Sequence, residues 1–204
     1  RYGPVYSHAA LQATEANAYV SVPTAGVLSN FHVRCSGTGP GSGKSYVFTL
    51  RKNGADTGIT CTISGTNVTA SDTSNTVSIA ANDVLDISVV PSGTPSTVRV
   101  AWGFVFTASV DGESMIMGGT QNDLNSTATE YNNLGGHTGT WSGVETDFQA
   151  LFSSINSHVL KKLAVNLSGS PGAGNNYVFT VRDDAADTAL SVTISDSATT
   201  GLDS

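Results

Sequence analysis

Charge is scarce in this sequence. Only 12% of its 204 residues are Asp, Glu, Lys or Arg, and the formal net charge is −7. Nine Lys and Arg, none of them in a run, cannot build the clustered positive surface that a phosphate backbone requires, so no nucleic-acid partner is expected. No apolar stretch approaches the ~20 residues of a membrane-spanning helix, and no membrane insertion is expected. A signal-peptide pattern is also missing, but the chain opens on Arg1 rather than Met, so that absence excludes nothing. Two cysteines, Cys35 and Cys61, are too few for a zinc site. The four histidines, His8, His32, His137 and His158, are scattered. No G-x-S-x-G, H-E-x-x-H or Cys–His constellation occurs, so no catalytic residue and no cofactor or metal site is expected.

What the chain has is Ser, Thr and Gly, with 22 glycines. The densest stretch, Ser36 to Ser45 (SGTGPGSGKS), ends in Gly43-Lys44-Ser45, as a phosphate-binding P-loop does. The P-loop requires a first glycine where this chain has Thr38, and a helix after the Ser. Tyr46 to Arg51 instead alternates with a period of two, which is a strand. The glycine stretch therefore reads as a connector between strands. Three N-x-[ST] sequons, at Asn67, Asn125 and Asn166, are what chance produces in a chain this rich in Ser, Thr and Asn.

The chain repeats itself. Tyr46-Val47-Phe48-Thr49-Leu50-Arg51 returns as Tyr177-Val178-Phe179-Thr180-Val181-Arg182, and Thr62-Ile63-Ser64 as Thr193-Ile194-Ser195, both at a spacing of 131. Val27-Leu28 matches Val159-Leu160, and Ser36-Gly37 matches Ser168-Gly169. Tyr2 and His8 match Tyr131 and His137, which suggests a structural role for that histidine pair. A period of about 130 residues is a whole domain. The second glycine stretch, Gly169 to Asn176, has no lysine in place of Lys44. The expected domains are 1–109, lacking its first strand, and 110–204, lacking its last strands. Either more repeats flank them or a neighbouring chain supplies the strands.

Asn53-Gly54 is a strong two-residue hairpin turn. It places Lys52 opposite Ala55, Arg51 opposite Asp56, Phe48 opposite Ile59 and Tyr46 opposite Cys61, with Arg51 and Asp56 an outward pair. In the second copy Arg182 faces Asp187, Phe179 faces Leu190 and Tyr177 faces Val192. Further strands are expected at Phe31–Cys35, Val77–Ile79, Leu85–Val89, Val98–Phe106 and Met115–Met117. Phe148, Leu151, Phe152, Ile155 and Val159 fit helical spacing, but their counterparts Ala18 to Pro23 read as strand. The repeat argues for strand in both. Many short strands of this kind make a sandwich or barrel.

Asn53-Gly54 after an aromatic strand, then Thr76 to Asp83 (TVSIAAND), then a closing Gly103-Phe104-Val105-Phe106, resembles the C1q/TNF-like jelly roll, with Asn82 where Gly is usual. The chain is similar to tandem jelly-roll modules of tailed-phage virion proteins and bacterial surface proteins. The resemblance covers most of each copy. It implies an all-β fold of two tandem jelly-roll β-sandwich repeats of about 130 residues, both cut at the chain ends. It also implies self-association as trimers or a higher array, location in a virion or on an extracellular surface, and no active site. Three candidate sites remain. Cys35 and Cys61, with counterparts Leu167 and Val192, are core-facing and are either buried thiols or a disulfide. Asp183, Asp184 and Asp187 offer the oxygen ligands that calcium takes, against a solvated turn. Trp141 is a candidate contact to a host-surface glycan, a receptor or another subunit, against burial in its own sandwich.

Overall fold

The computed structural model describes residues 1–6, 11–120, 122–137, 140–149 and 159–203. Strands dominate these residues and the sheets are antiparallel except for one short pair. The chain forms two compact units, one of Arg1–Val5 and Ala10–Ser114, the other of Tyr6–Ala9 and Met115–Ser204.

The first unit contains β1 (Tyr2–Pro4), β2 (Val20–Ser21), β3 (Gly26–Cys35), β4 (Gly41–Lys52) and β5 (Ala55–Gly65). After them come β6 (Thr69–Asp72), β7 (Val77–Ile79), β8 (Val84–Ser92) and β9 (Val100–Ala108). One sheet runs β1–β8–β4–β5, with β2 also on β8. The other is built around β3, with β9 along one edge and β6 and β7 sharing the opposite edge. Alternation decides which side chains go inward. Phe48, Leu50, Ile59, Ile63, Leu85 and Ile87 of the first sheet and Phe31 and Val33 of the second are buried. Phe31 stacks on Phe104 across β3 and β9, with ring centroids 4.5 Å apart.

The β4–β5 hairpin turns at Asn53 and Gly54, whose φ of 53° and 76° are those of a two-residue hairpin loop. Arg51 pairs with Asp56 and Lys52 with Ala55, as the sequence implies, but the register then shifts. Phe48 pairs with Cys61 rather than Ile59, and Tyr46 with Ile63 rather than Cys61. Thr57, Gly58 and Ile59 bulge opposite the single residue Leu50. The Thr57 hydroxyl donates to the Leu50 carbonyl at 2.7 Å and accepts the Ile59 N–H at 3.2 Å, replacing lost ladder bonds. The shift is two residues, so the apolar faces still coincide. A second bulge, Ser42 to Lys44, sits at the far end of the hairpin. The glycine stretch is thus partly inside β4 rather than a free connector, and no helix follows it.

The second unit contains β10 (Gly118–Gly119), β11 (Gly136–His137), the single helical turn α1 (Thr146–Gln149), β12 (Leu163–Asn166), β13 (Gly172–Asp183), β14 (Ala186–Asp196) and β15 (Thr200–Asp203). It repeats much of the first. Leu163 pairs with Asp203 as Phe31 pairs with Asp72. Phe179 pairs with Val192 and Tyr177 with Ile194, the same two-residue correction. The bulge recurs as well: Thr188 donates to the Val181 carbonyl at 2.7 Å and accepts from Leu190 N–H at 3.3 Å. An ideal Cβ on Gly201 would lie 2.3 Å from Val192 Cγ1, so only glycine lets β15 pack down on β14.

Two expected strands differ: the one at Ala18–Pro23 shortens to β2, Val20–Ser21, and the one at Met115–Met117 does not form. Glu15–Ala18 is a 3-10 turn leading into the two-residue β2, and Phe148 lies in α1, so a helical turn stands at both places. Leu151, Phe152 and Ile155 lie outside the described residues, and Val159 is exposed. Met115 to Met117 form no strand. Ile116 lies against Gly135, and the following Gly118–Gly119 pairs in parallel with Gly136–His137. His8 and His158, and the side chain of His137, lie outside the described residues.

Candidate functional site

One constellation occurs twice. Arg51, on β4, reaches the 3-10 turn. Its Nε donates to Glu15 Oε1 at 2.5 Å and its Nη2 to Glu15 Oε2 at 3.2 Å, a two-pronged ion pair. Nη1 donates to Asp56 across the hairpin, and Nη2 also to the Gly54 carbonyl in the turn. The Tyr2 ring caps the guanidinium, 5.8 Å from Cζ to centroid. In the second unit Arg182 bonds Glu145 at 2.6 and 3.2 Å, Asp187 and the Ala185 carbonyl, under the Tyr131 ring at 5.7 Å. Hydrogen bonds donated to the glutamates lead the causes that raise the pKa of both arginines.

The first unit adds one group. Asp86, on β8 directly opposite Arg51, is fully buried, and neither carboxylate oxygen has a donor among the described residues. Alternation in Leu85–Val89 puts Asp86 on the face away from the core. The 3-10 turn packs over that face; the expected outward Arg51–Asp56 pair forms there, with Asp56 66% exposed and Arg51 largely covered. Arg51 is 15% exposed. Burial, and then the negative Glu15, push the Asp86 carboxyl up to about 7, against the pull of Arg51. The protonated acid can donate to Glu15, whereas two carboxylates have no hydrogen between them. The site therefore binds a proton near neutrality. Burial likewise raises the Tyr19 hydroxyl, with Glu15 and Asp86 adding to the effect.

Around this centre the acidic side chains hold backbone. Asp72 accepts N–H groups of Thr60, Ser74 and Asn75 and the Asn75 side-chain amide. The Asn75 side chain and backbone are the main causes that lower it to about 2. Asp203 accepts Ser191 N–H in the same way. Asn53 donates to Asp83 at 2.7 Å and accepts from Val84 N–H at 2.9 Å, tying the hairpin turn to the start of β8. Asn82, at φ 71°, occupies the left-handed position its side chain suits.

The candidates from sequence are not brought together. Cys35 and Cys61 are both buried and free, and burial pushes the Cys61 thiol up to about 11. Asp187 is committed to Arg182. No group of three or more His, Cys, Asp or Glu among the described residues could hold a metal. Trp141 is half-buried, and its indole N–H finds no acceptor among the described residues. No helix among the described residues is long and apolar enough to cross a membrane. An apolar cavity of about 650 Å³ lies in the first unit between Tyr46, Phe48, Val89, Pro91, Pro95 and Val100. The sequence did signal part of the arginine constellation, in the matched Tyr2 and Tyr131 and the matched Arg51 and Arg182. Glu15 and Glu145 recur at a spacing of 130, and that signal was missed. Nothing in the sequence marks Asp86 except a charge inside an apolar strand.

No protein-family model, no curated protein and no solved structure matches the chain.

Proposed function

We propose that this chain is a non-enzymatic structural or attachment protein of a virion, such as a phage tail fibre, spike or capsid decoration, built from repeated jelly-roll sandwiches. The observation that supports this reading most is the duplicated arginine constellation. Its geometry is reproduced to within 0.1 Å in the Nε–Glu and ring distances of the two units. Each member ties one local element to another: a helical turn, a hairpin turn and an N-terminal strand segment. A chain that duplicates its scaffold this closely is repeating a shape. Self-association into a homo-oligomer fits such a shape, and Trp141 is the residue proposed to meet a host-surface glycan or receptor. Particles purified from the source organism and labelled with antibody to this chain test the reading. Label on intact particles is expected, and label confined to the cell envelope would overturn it.

The second reading is a bacterial extracellular surface or filament subunit assembled by strand exchange. It draws on one observation, that β13 pairs only with β14 among the described residues.

A further inference from the structure

That edge of β13 has a template inside the same molecule. In the first unit β8 lies between β1 and β4, pairing Tyr2 with Ser88 on one side and Arg51 with Asp86 on the other. The Tyr2 ring therefore reaches the Arg51 guanidinium across the width of β8. In the second unit both banks are built. Tyr131 pairs with Ser142 through bonds of 2.7 and 3.1 Å, as Tyr2 pairs with Gln12 through 2.9 and 2.6 Å. Its ring stands over Arg182 at the distance seen across β8. No described residue pairs with the β13 edge between them. Exposure agrees. Phe48 and Leu50, beside β8, are 1% and 0% exposed, whereas Phe179 and Val181 are half-buried. Val178, on the outer face, is 60% exposed.

We infer that the edge of β13 left unpaired among the described residues is an acceptor slot for one extended strand that inserts antiparallel between β13 and the Tyr131 segment. The register of β8 on β4 sets its chemistry. The residue opposite Arg182 carries a carboxyl or carboxamide, as Asp86 does. The residues on either side of it are apolar, as Leu85 and Ile87 are, and the residue opposite Thr180 is small and polar, as Ser88 is. A positive charge at the acid position would meet Arg182, already tied to Glu145 and Asp187, at short range. The occupant is a polypeptide strand of the β8 type from outside residues 1–204. A second copy is disfavoured, since its own β8 is buried from Val84 to Val89. The inference rests on the duplicated constellation and not on the virion reading, so either can fail alone.

The test adds a synthetic peptide of sequence 82–92 (NDVLDISVVPS) to the whole chain and follows amide exchange by mass spectrometry. Saturable slowing, tenfold or more, is expected over residues 176–183. Replacing the peptide's first-unit Asp86 equivalent by Asn should preserve it, and replacing that residue by Lys should weaken binding at least tenfold. No slowing, slowing confined to the first unit, or equal effect of the Lys peptide would overturn the inference. So would peptide-independent protection that rises with protein concentration, because the occupant would then be a second copy.

Discussion

Asp86→Asn should make the first unit more stable at pH 8 and remove most of its pH dependence above pH 4. The carboxyl is fully buried, its oxygens lack donors among the described residues, and burial with Glu15 lifts it from 3.8 to about 7. The groups acting on it are Glu15 from the 3-10 turn, Arg51 from β4 and Asp56 from β5, while Asp86 and Tyr2 in turn act on Tyr19. A folded pKa above the unfolded one means that the folded state holds a proton the unfolded chain has released. The stabilisation is complete below pH 3.8 and is lost as pH rises through 7. Between those limits stability falls by about 1.4 kcal/mol per pH unit. Over the whole window that sums to about 4 kcal/mol, an upper figure for one buried group. Asp72 works the other way, since its lowered pKa adds stability above pH 3.8 that is lost as pH falls through 2. Together they place the first unit's optimum near pH 4. Scanning calorimetry at pH 5, 6, 7 and 8 should show its transition falling, by on the order of 10 °C across the series for a unit of this size. Asn keeps the shape, cannot ionise and can donate to Glu15, so the variant's midpoint should stay nearly level. A variant that keeps the wild-type slope, or a wild type that melts higher at pH 8 than at pH 5, would refute the account of this site.

Three further outcomes are expected. Arg51→Lys keeps the charge but loses the fork to Glu15 and the bond to the Gly54 carbonyl, and urea titration should show a loss of about 2 kcal/mol in the first unit. Ala185 sits at φ 63° in the β13–β14 turn, where Gly54 stands in the first unit, so Ala185→Gly should stabilise the second unit by about 1 kcal/mol in the same assay. Cys35→Leu with Cys61→Val should give a folded protein by circular dichroism, because the repeat places Leu167 and Val192 at those positions. In the wild type both thiols should resist a thiol reagent until urea unfolds the chain.

The strands, the hairpin turn and the inward faces were legible because each is written in short-range pattern: a period of two, an Asn-Gly pair, a repeat at 131. The bulge at Thr57 was not. A two-residue shift leaves the alternation intact, so pattern alone cannot see it, although Thr at the same place in both copies was the available sign. Helical turns at Glu15 and Thr146 were lost to a run of β-prone residues after Ala18, of which only Val20 and Ser21 pair as strand. Asp86 was invisible for a different reason. Its burial depends on a turn some 70 residues earlier in the chain covering the outer face of β8, and no local pattern records that.

The hairpin is keyed at both ends. Sliding β4 along β5 by one residue would turn every apolar side chain to water, and the alternation forbids it. Sliding by two residues would not, and in a strand pair pulled along its length that is the cheapest way to yield. The Thr57 bulge and the Ser42–Lys44 bulge sit beyond opposite ends of the regular ladder between them. Any even slip drives one bulge into paired backbone and leaves a Thr hydroxyl facing a carbonyl it no longer reaches. The pair must then break all its bonds at once or none, and the same two keys are cut into β13 and β14. In either hairpin, tension along the strands would meet stops that hydrophobic pattern alone does not provide.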